Sequence, residues 1–351
     1  MAGDAAIVKR AEDGIGAGTG AGTGAGAGSR PATLRISAGT AAALGFSRAR
    51  PDDAATTAYI MVGEGCAFAC QFCPQARGAT SDPGMLSRVL WPECDLEPLV
   101  AGVAAAHQDG RLRRACVQVV HGRGAWPATA AIVAAIARRC RIPVSVSTVP
   151  AGTRRVTQPF AWGAERVGLP LDAATAALHL AVKGRPLGPA AACLGRAARE
   201  FPGRVSTHLI VGLGETEAEA VGFVQRWHDA GVTVALFAFT PVGGTPLAGR
   251  RPPALDSYRR VQAAAHLVRS GVARAEGMRF AERPAGRLMD FGIEAARARA
   301  ALADGAAFQT PGCLGCNRPY YNERPGDIPY NYPRPLTAAE AAREAERALG
   351  A

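Results

Sequence analysis

From about residue 56 onward, short apolar runs rich in β-branched residues alternate with longer segments whose apolar positions recur every three or four residues. The first pattern reads as strands covered on both faces, the second as amphipathic helices. TTAYIMVGEG (56–65), RACVQVV (114–120), PVSVSTV (143–149), RVGLPL (166–171), VSTHLIVGLG (205–214) and TVALFAFTPVG are the predicted strands, with MRFAER (278–283) as one further candidate. Helical patterns fall between them, in LSRVLWPECDLEPLVAGVAAAHQDG, PATAAIVAAIARRC, residues 188–201, TEAEAVGFVQRWHDAG and LDSYRRVQAAAHLVRSG. Strands separated by such helices imply βαβ units and a parallel sheet. Six or seven units in about 230 residues predict an α/β chain folded as a partial or full parallel (β/α) barrel, with its chemistry at the C-terminal ends of the strands.

Outside that region the patterning changes. Residues 1–30 include AEDGIGAGTGAGTGAGAGSR, a Gly/Ala low-complexity leader that buries too little apolar surface to offset the entropy of ordering. Its glycines are no dinucleotide fingerprint, since no strand precedes them. The barrel is expected over residues 31–290 and a C-terminal extension over 291–351. The extension holds the helical IEAARARAALADG, the Gly/Pro/Tyr-rich stretch FQTPGCLGCNRPYYNERPGDIPYNYPRP (308–335), and a last helix opened by Thr337 and Glu340 at capping-box spacing. A loop of that length in a compact chain is usually functional or disordered, and its cysteines and aromatics favour function.

Composition narrows the classes. The 351 residues are 48% hydrophobic, enough for a sizeable core. No apolar run approaches the roughly 18 residues of a membrane span. No apolar stretch follows Lys9 and Arg10, so the expected location is the cytoplasm, with no membrane association. The net charge of +11 is almost all arginine, because Lys9 and Lys183 are the only lysines. Without a basic run, and with 6% aromatic residues, a nucleic-acid surface is not expected. An acidic partner or anionic substrate, or a plain arginine-rich coding bias, fits equally. Nine cysteines in a reducing compartment point to metal or catalysis before disulfides.

Three of them, Cys66, Cys70 and Cys73, form C-x3-C-x2-C directly after the first strand. Three thiolates on one short loop can ligate three irons of a [4Fe–4S] cubane and leave the fourth iron without a protein ligand. A zinc site would normally want a fourth ligand and longer spacing between paired knuckles. A redox thiol cluster is the other alternative. In spacing and position the loop resembles the cluster motif of the radical S-adenosylmethionine (SAM) superfamily. That resemblance implies SAM on the open iron and Phe72 near its adenine. Ile210-Val211-Gly212-Leu213-Gly214-Glu215 resembles the Gly-rich SAM-binding stretch of biotin and lipoyl synthases, which would place Gly212 and Gly214 against the cofactor. The plainer alternative is a strand-to-helix turn with Thr216 and Glu219 capping the next helix. Ser147 and Asp172, near strand ends, are candidates for the SAM ribose or carboxylate, or ordinary turn residues. The superfamily's Gly-Gly-Glu turn has no match, because Val120-His121-Gly122-Arg123-Gly124 carries no acid.

A second pair, Cys313-Leu314-Gly315-Cys316, has three readings: ligands of an auxiliary iron–sulfur cluster, half of a zinc site, or a redox pair. A cluster needs a further ligand, and Cys116 on the second strand is the candidate, against a reading as a plain buried thiol. Cys94, Cys140 and Cys193 fall in or beside helices and read as core residues. Arg318, Tyr320, Tyr321, Asn322 and Arg324 either line a substrate mouth or pack the loop onto the barrel, and Arg279 either faces the interior or lies on the surface.

Over about residues 55–330, CxxxCxxCPQA, VSTHLIVGLGE and GCLGCNRPYYNERPG resemble the biotin synthase-related group of radical SAM proteins, and most nearly a component of the two-protein lipoyl synthases. This resemblance implies an enzyme that forms a 5′-deoxyadenosyl radical for C–H activation and inserts sulfur into an octanoyl chain on a carrier protein. It implies a one-electron donor of ferredoxin or flavodoxin type, an acidic lipoyl carrier protein and a second synthase component. The N-terminal C-x4-C-x5-C motif of single-chain lipoyl synthases is absent, as are the in-barrel cysteines of biotin synthase. The alternatives are a radical SAM enzyme of biotin synthase-like, rearrangement or oxidation type with a structural or zinc-binding second pair, and a non-catalytic iron–sulfur protein.

Overall fold

The computed structural model describes residues 32–323 and 326–350; the Gly/Ala leader and Arg324 lie outside them. The chain has a partial (β/α) barrel. A seven-stranded sheet runs in the order β1 (Leu34–Ile36), β2 (Thr57–Val62), β5 (Arg114–Val119), β6 (Val144–Ser147), β7 (Arg166–Gly168), β8 (Val205–Val211) and β9 (Thr233–Ala238). All neighbours from β2 to β9 are parallel, and β1 alone pairs antiparallel, on the outer side of β2. The short β3 (Met85–Leu86) and β4 (Val89–Leu90) form a separate hairpin beyond the cysteine loop.

Six of the expected strands are present, shorter at their C-terminal ends. The fifth stops at Val211 because Gly212 turns the chain with φ +103°, and the first stops at Val62, before Gly63 at φ +88°. MRFAER is corrected: only Arg279–Phe280 (β10) is extended, and it pairs with Leu288–Asp290 (β11) in a hairpin outside the barrel. Arg279 therefore does not face the interior; its guanidinium is exposed and bonds Asp290 at 2.5 Å. Arg279, Glu282 and Arg283 put charge on both faces of that segment, so it has no continuous apolar run for a central strand. No signal was recognised for β1, for α1 (Ala38–Ala43), or for the helices α4 (Thr153–Ala161) and α5 (Ala176–Lys183).

The remaining helices are α2 (Leu96–Gln108), α3 (Ala125–Arg139), α6 (Leu187–Glu200), α7 (Glu217–Asp229), α8 (Leu255–Arg269), α9 (Ala295–Leu302) and α10 (Ala338–Leu349). They cover the outside of the sheet in two apolar layers. One joins Ile60, Val62, Val117 and Val146 to Leu99, Ile132 and Ile136, and the other joins Leu209, Val211 and Leu236 to Leu194, Phe223, Val261 and Leu267. Thr337 and Glu340 cap α10 reciprocally, as their spacing predicts.

The barrel is not closed by strands. Residues 311–323 of the extension fill the gap between β9 and the start of β2, which β1 pairs only over Ile60–Val62. On one side Thr56 N donates to Asn317 Oδ1 at 2.9 Å and Thr56 Oγ1 to Gly315 O at 2.8 Å. On the other, Asn322 Nδ2 donates to Ala238 O at 2.8 Å and Arg318 Nη2 to Leu236 O at 3.3 Å. The extension thus meets the backbone donor just before β2 and two carbonyl acceptors on the free edge of β9. At Gly312, with φ +133°, any side chain would press on Ala235.

Candidate active site: two cysteine groups on one cavity

Alternation along the strands decides which residues look inward. Cys116 and Gln118 of β5, Ser145 and Ser147 of β6, Ser206, His208 and Ile210 of β8, and Ala235 and Phe237 of β9 share that parity. All of these except Ser145 line a cavity of about 270 Å³ inside the barrel. Cys66, Cys70 and Cys73 open on it at the C-terminal end of the strands, with Phe72 beside them. Cys313 and Cys316 open on it at the opposite end, near Thr56 just before β2 and near Arg114 and Ser145 at the starts of β5 and β6.

The first cysteine loop is held by its backbone. Cys66 N donates to Gln75 O at 2.9 Å, Ala67 N to His121 O at 2.9 Å, Gln71 N to Val182 O at 2.8 Å and Arg77 N to Phe68 O at 2.7 Å. Gly122 has to be glycine there, since a Cβ would stand 2.4 Å from Glu64 O. Burial pushes the Cys73 thiol up to about 12 and raises Cys70 as well. Such thiols ionise only against a compensating positive charge, which metal ligation supplies.

Asp172 and Lys183 form a buried ion pair on the wall near Cys70. Asp172 adopts a left-handed φ of +67° and is stitched into the sheet by Asp172 N to His208 O and Ile210 N to Asp172 O. Lys183 also donates to Pro170 O at 3.0 Å. Arg185 lies 4.2 Å over the Phe68 ring, which meets His121 edge-on. His121 lies in the turn after β5. Its Nε2 accepts the Val149 N–H at 3.0 Å, and burial, with Arg155 and Arg185 nearby, lowers it to about 4.

Of the other expected SAM contacts, Phe72, Ser147 and Asp172 line the cavity, and Gly212 and Gly214 do not. Glu215 accepts from Gly212 N at 2.5 Å and Leu213 N at 3.1 Å, Pro253 packs against Gly212, and Thr216 and Glu219 form a capping box for α7. The turn is therefore satisfied within itself.

At the far end the fold brings Cys116, Cys313 and Cys316 together. Burial comes first, then Cys313 and Cys316, among the influences that push the Cys116 thiol up to about 12. Arg318, at φ +40°, donates to Pro311 O at 2.9 Å and stacks 3.8 Å over Phe237. Tyr321 lines the cavity, whereas Tyr320 faces outward and accepts the Asp53 N–H at 3.2 Å. Cys193 is buried in α6; Cys94 and Cys140, at helix ends, pack against the outer core, and none of the three lines the cavity. Among the described residues no three or more cysteine, histidine or acidic side chains come close enough to hold a single metal ion. A cubane distributes its thiolates over separate irons and so sets them wider apart.

Sequence reasoning missed Tyr59, Gln118, Lys183, Arg185 and His208. Parity with Cys116 was enough to find Gln118, and the rarity of lysine was a signal for Lys183.

No family model matches the chain, and no curated protein sequence does either. Among solved structures, it is similar to HydG, a maturase of the [FeFe]-hydrogenase, with TM-score 0.50 and 10% identity over 61% of this chain and 50% of that one. Methylornithine synthase (PylB) gives 0.45 and 13%, over 58% and 59%, and a radical SAM methyltransferase from Sphaerobacter thermophilus 0.40 and 19%, over 60% and 64%. The likeness to HydG shows a shared fold. The chain spans half the length of that HydG chain. Among the described residues no helix is long and apolar enough to cross a membrane.

Proposed function

We propose that the protein is a radical SAM enzyme that activates an unactivated C–H bond and inserts sulfur, in the manner of a lipoyl synthase. The observation that carries the reading is the opening of Cys66, Cys70 and Cys73, from one pinned loop, onto a barrel cavity at the C-terminal ends of its strands. The donor set fits a [4Fe–4S] cluster, because three thiolates from one turn leave an iron for SAM. Held by Cys66, Cys70 and Cys73 with SAM on the open iron, such a cluster would supply the electron that cleaves SAM to methionine and a hydrogen-abstracting 5′-deoxyadenosyl radical.

The chain's own residues bind, orient and exclude water. Phe72 packs beside the adenine, and Ser147 and the Asp172–Lys183 pair face the polar groups of SAM. The extension shuts the open side of the barrel, and the cavity between the cysteine groups takes the acyl chain. Cys116, Cys313 and Cys316 hold a second iron–sulfur cluster as sulfur source. The net charge of +11 favours encounter with an acidic carrier protein. A one-electron donor and a second synthase component complete the reaction.

The test is anaerobic incubation of the reconstituted, reduced protein with SAM and an octanoylated carrier protein, with and without candidate partner synthases. Expected are 5′-deoxyadenosine and a carrier mass gain from sulfur, both lost in Cys73→Ala. Formation of 5′-deoxyadenosine without sulfur incorporation, with zinc at the second site, favours a different radical SAM reaction; no 5′-deoxyadenosine at all sinks the radical reading.

A further inference from the structure

Cys116, Cys313 and Cys316 each meet one side-chain group that can donate a hydrogen bond to sulfur. The Tyr59 hydroxyl lies 3.0 Å from Cys316 Sγ and accepts the Arg318 backbone N–H at 3.1 Å. Tyr59 is buried, and among the described residues its proton has no acceptor other than that sulfur. Ser145 repeats the arrangement: Oγ accepts from Arg114 Nη2 at 2.6 Å and lies 3.7 Å from Cys313 Sγ. Gln118 Nε2, which can only donate, lies 2.9 Å from Cys116 Sγ.

A free thiol brings its own proton to such a contact, whereas a metal-bound thiolate only accepts. A thiol at Cys316 that donated to Tyr59 would leave a buried phenolic proton unmet, at a cost of about 1–3 kcal/mol. Three donors aimed at three sulfurs therefore fit sulfurs that carry negative charge. Two arginines stand against the same site, since Arg114 also donates to Leu314 O at 2.8 Å and Arg318 sits behind the Tyr59 contact. The first site is not built this way: Cys73 receives only the Gln75 backbone N–H, and Cys66 and Cys70 have no side-chain donor among the described residues.

We propose that Tyr59, Gln118 and Ser145 tune a cluster on Cys116, Cys313 and Cys316, withdrawing electron density from its sulfurs so that it is reduced more easily than the cluster on Cys66, Cys70 and Cys73. This rests on the second cluster proposed above and assigns its redox control. The tuning has a chemical use. When a carbon radical bonds to a cluster sulfide, carbon and sulfur each give one electron to the new bond, and the sulfide's surplus electron passes to the irons. Donors that favour reduced irons favour that bond. The three residues are positioning residues, acting through the sulfurs.

The experiment is an anaerobic redox titration of the reconstituted full chain followed by EPR, with the first cluster's signal assigned in a Cys313→Ala/Cys316→Ala variant. Tyr59→Phe and Gln118→Leu are expected to keep the wild-type iron and sulfide content and to lower the potential of the second signal alone. At a fixed ambient potential, the ratio of reduced to oxidised second cluster falls several-fold. A second signal unmoved in both variants overturns the tuning while leaving the cluster in place. Equal iron in wild type and the Cys313→Ala/Cys316→Ala variant removes the second cluster itself, and the tuning with it.

Discussion

Asp172 and Lys183, eleven positions apart, meet as a buried ion pair on the cavity wall next to the first cysteine loop. Asp172 closes the turn after β7 and Lys183 ends α5, so the pair ties a helix terminus to the sheet where the radical chemistry is proposed.

Removing one partner leaves the other charged group buried alone. Lys183→Met is expected to cost about 3–5 kcal/mol in chemical denaturation, and the double variant Asp172→Asn/Lys183→Met to recover most of that loss. In both, the change that SAM makes in the EPR spectrum of the first cluster should weaken. A full spectral response in the double variant would remove the pair from the SAM site.

The extension is fastened to the barrel by an ion pair without solvent exposure, Arg259 Nε to Glu344 Oε2 at 2.7 Å, and by Arg259 Nη1 to Tyr330 O at 2.6 Å. Glu344→Gln should lower stability by about 3 kcal/mol. Because α10 carries the end of the segment that presents Cys313 and Cys316, iron bound at the second site should fall while iron at the first stays. Equal loss at both sites would mean general unfolding.

His208 is neutral inside the cavity. Burial, with Arg318 and Lys183 near and only Asp172 opposing, lowers it from 6.5 to about 4. Between those values the unfolded chain takes up a proton that the folded chain refuses, so stability is complete above pH 6.5 and is lost as pH falls toward 4, by up to about 3 kcal/mol. His208→Gln should flatten that part of the stability curve. An unchanged slope between pH 4 and 6.5 would show that His208 does not carry it.

Arg318 holds the plug against β9 through Leu236 O and the Phe237 ring, and braces the plug itself through Pro311 O. Arg318→Lys keeps the charge but not the planar guanidinium whose Nη2 reaches both carbonyls while its face lies on Phe237. About 2 kcal/mol should be lost, and the segment around residues 309–332 should be cut faster in limited proteolysis. Cleavage at the wild-type rate would show that the plug is held elsewhere.

Much of this was legible in the sequence because it is local. The parallel-strand pattern, the capping boxes at Thr216 and Thr337, and the C-x3-C-x2-C loop after the first strand each depend on residues within one or two turns of one another. Period-two and period-3.6 burial, and the reach of three thiolates on a short loop, are properties of chain geometry that no distant segment needs to supply.

What the sequence alone left open was decided at long range. It offered Cys116 beside Cys313 and Cys316 as one possibility among several, and only the filling of the gap between β9 and β2 brought them to one end of one cavity. It offered Gly212 and Gly214 either as cofactor glycines or as a plain strand-to-helix turn, and only the fold shows the Glu215 carboxylate accepting from the amides of Gly212 and Leu213. The donors on the second cysteine group come from β2, β5 and β6, strands separated by helices in the chain and neighbours in the sheet. Local patterning fixes which face of a strand is buried; which strands and loops share the buried space follows from closing the barrel.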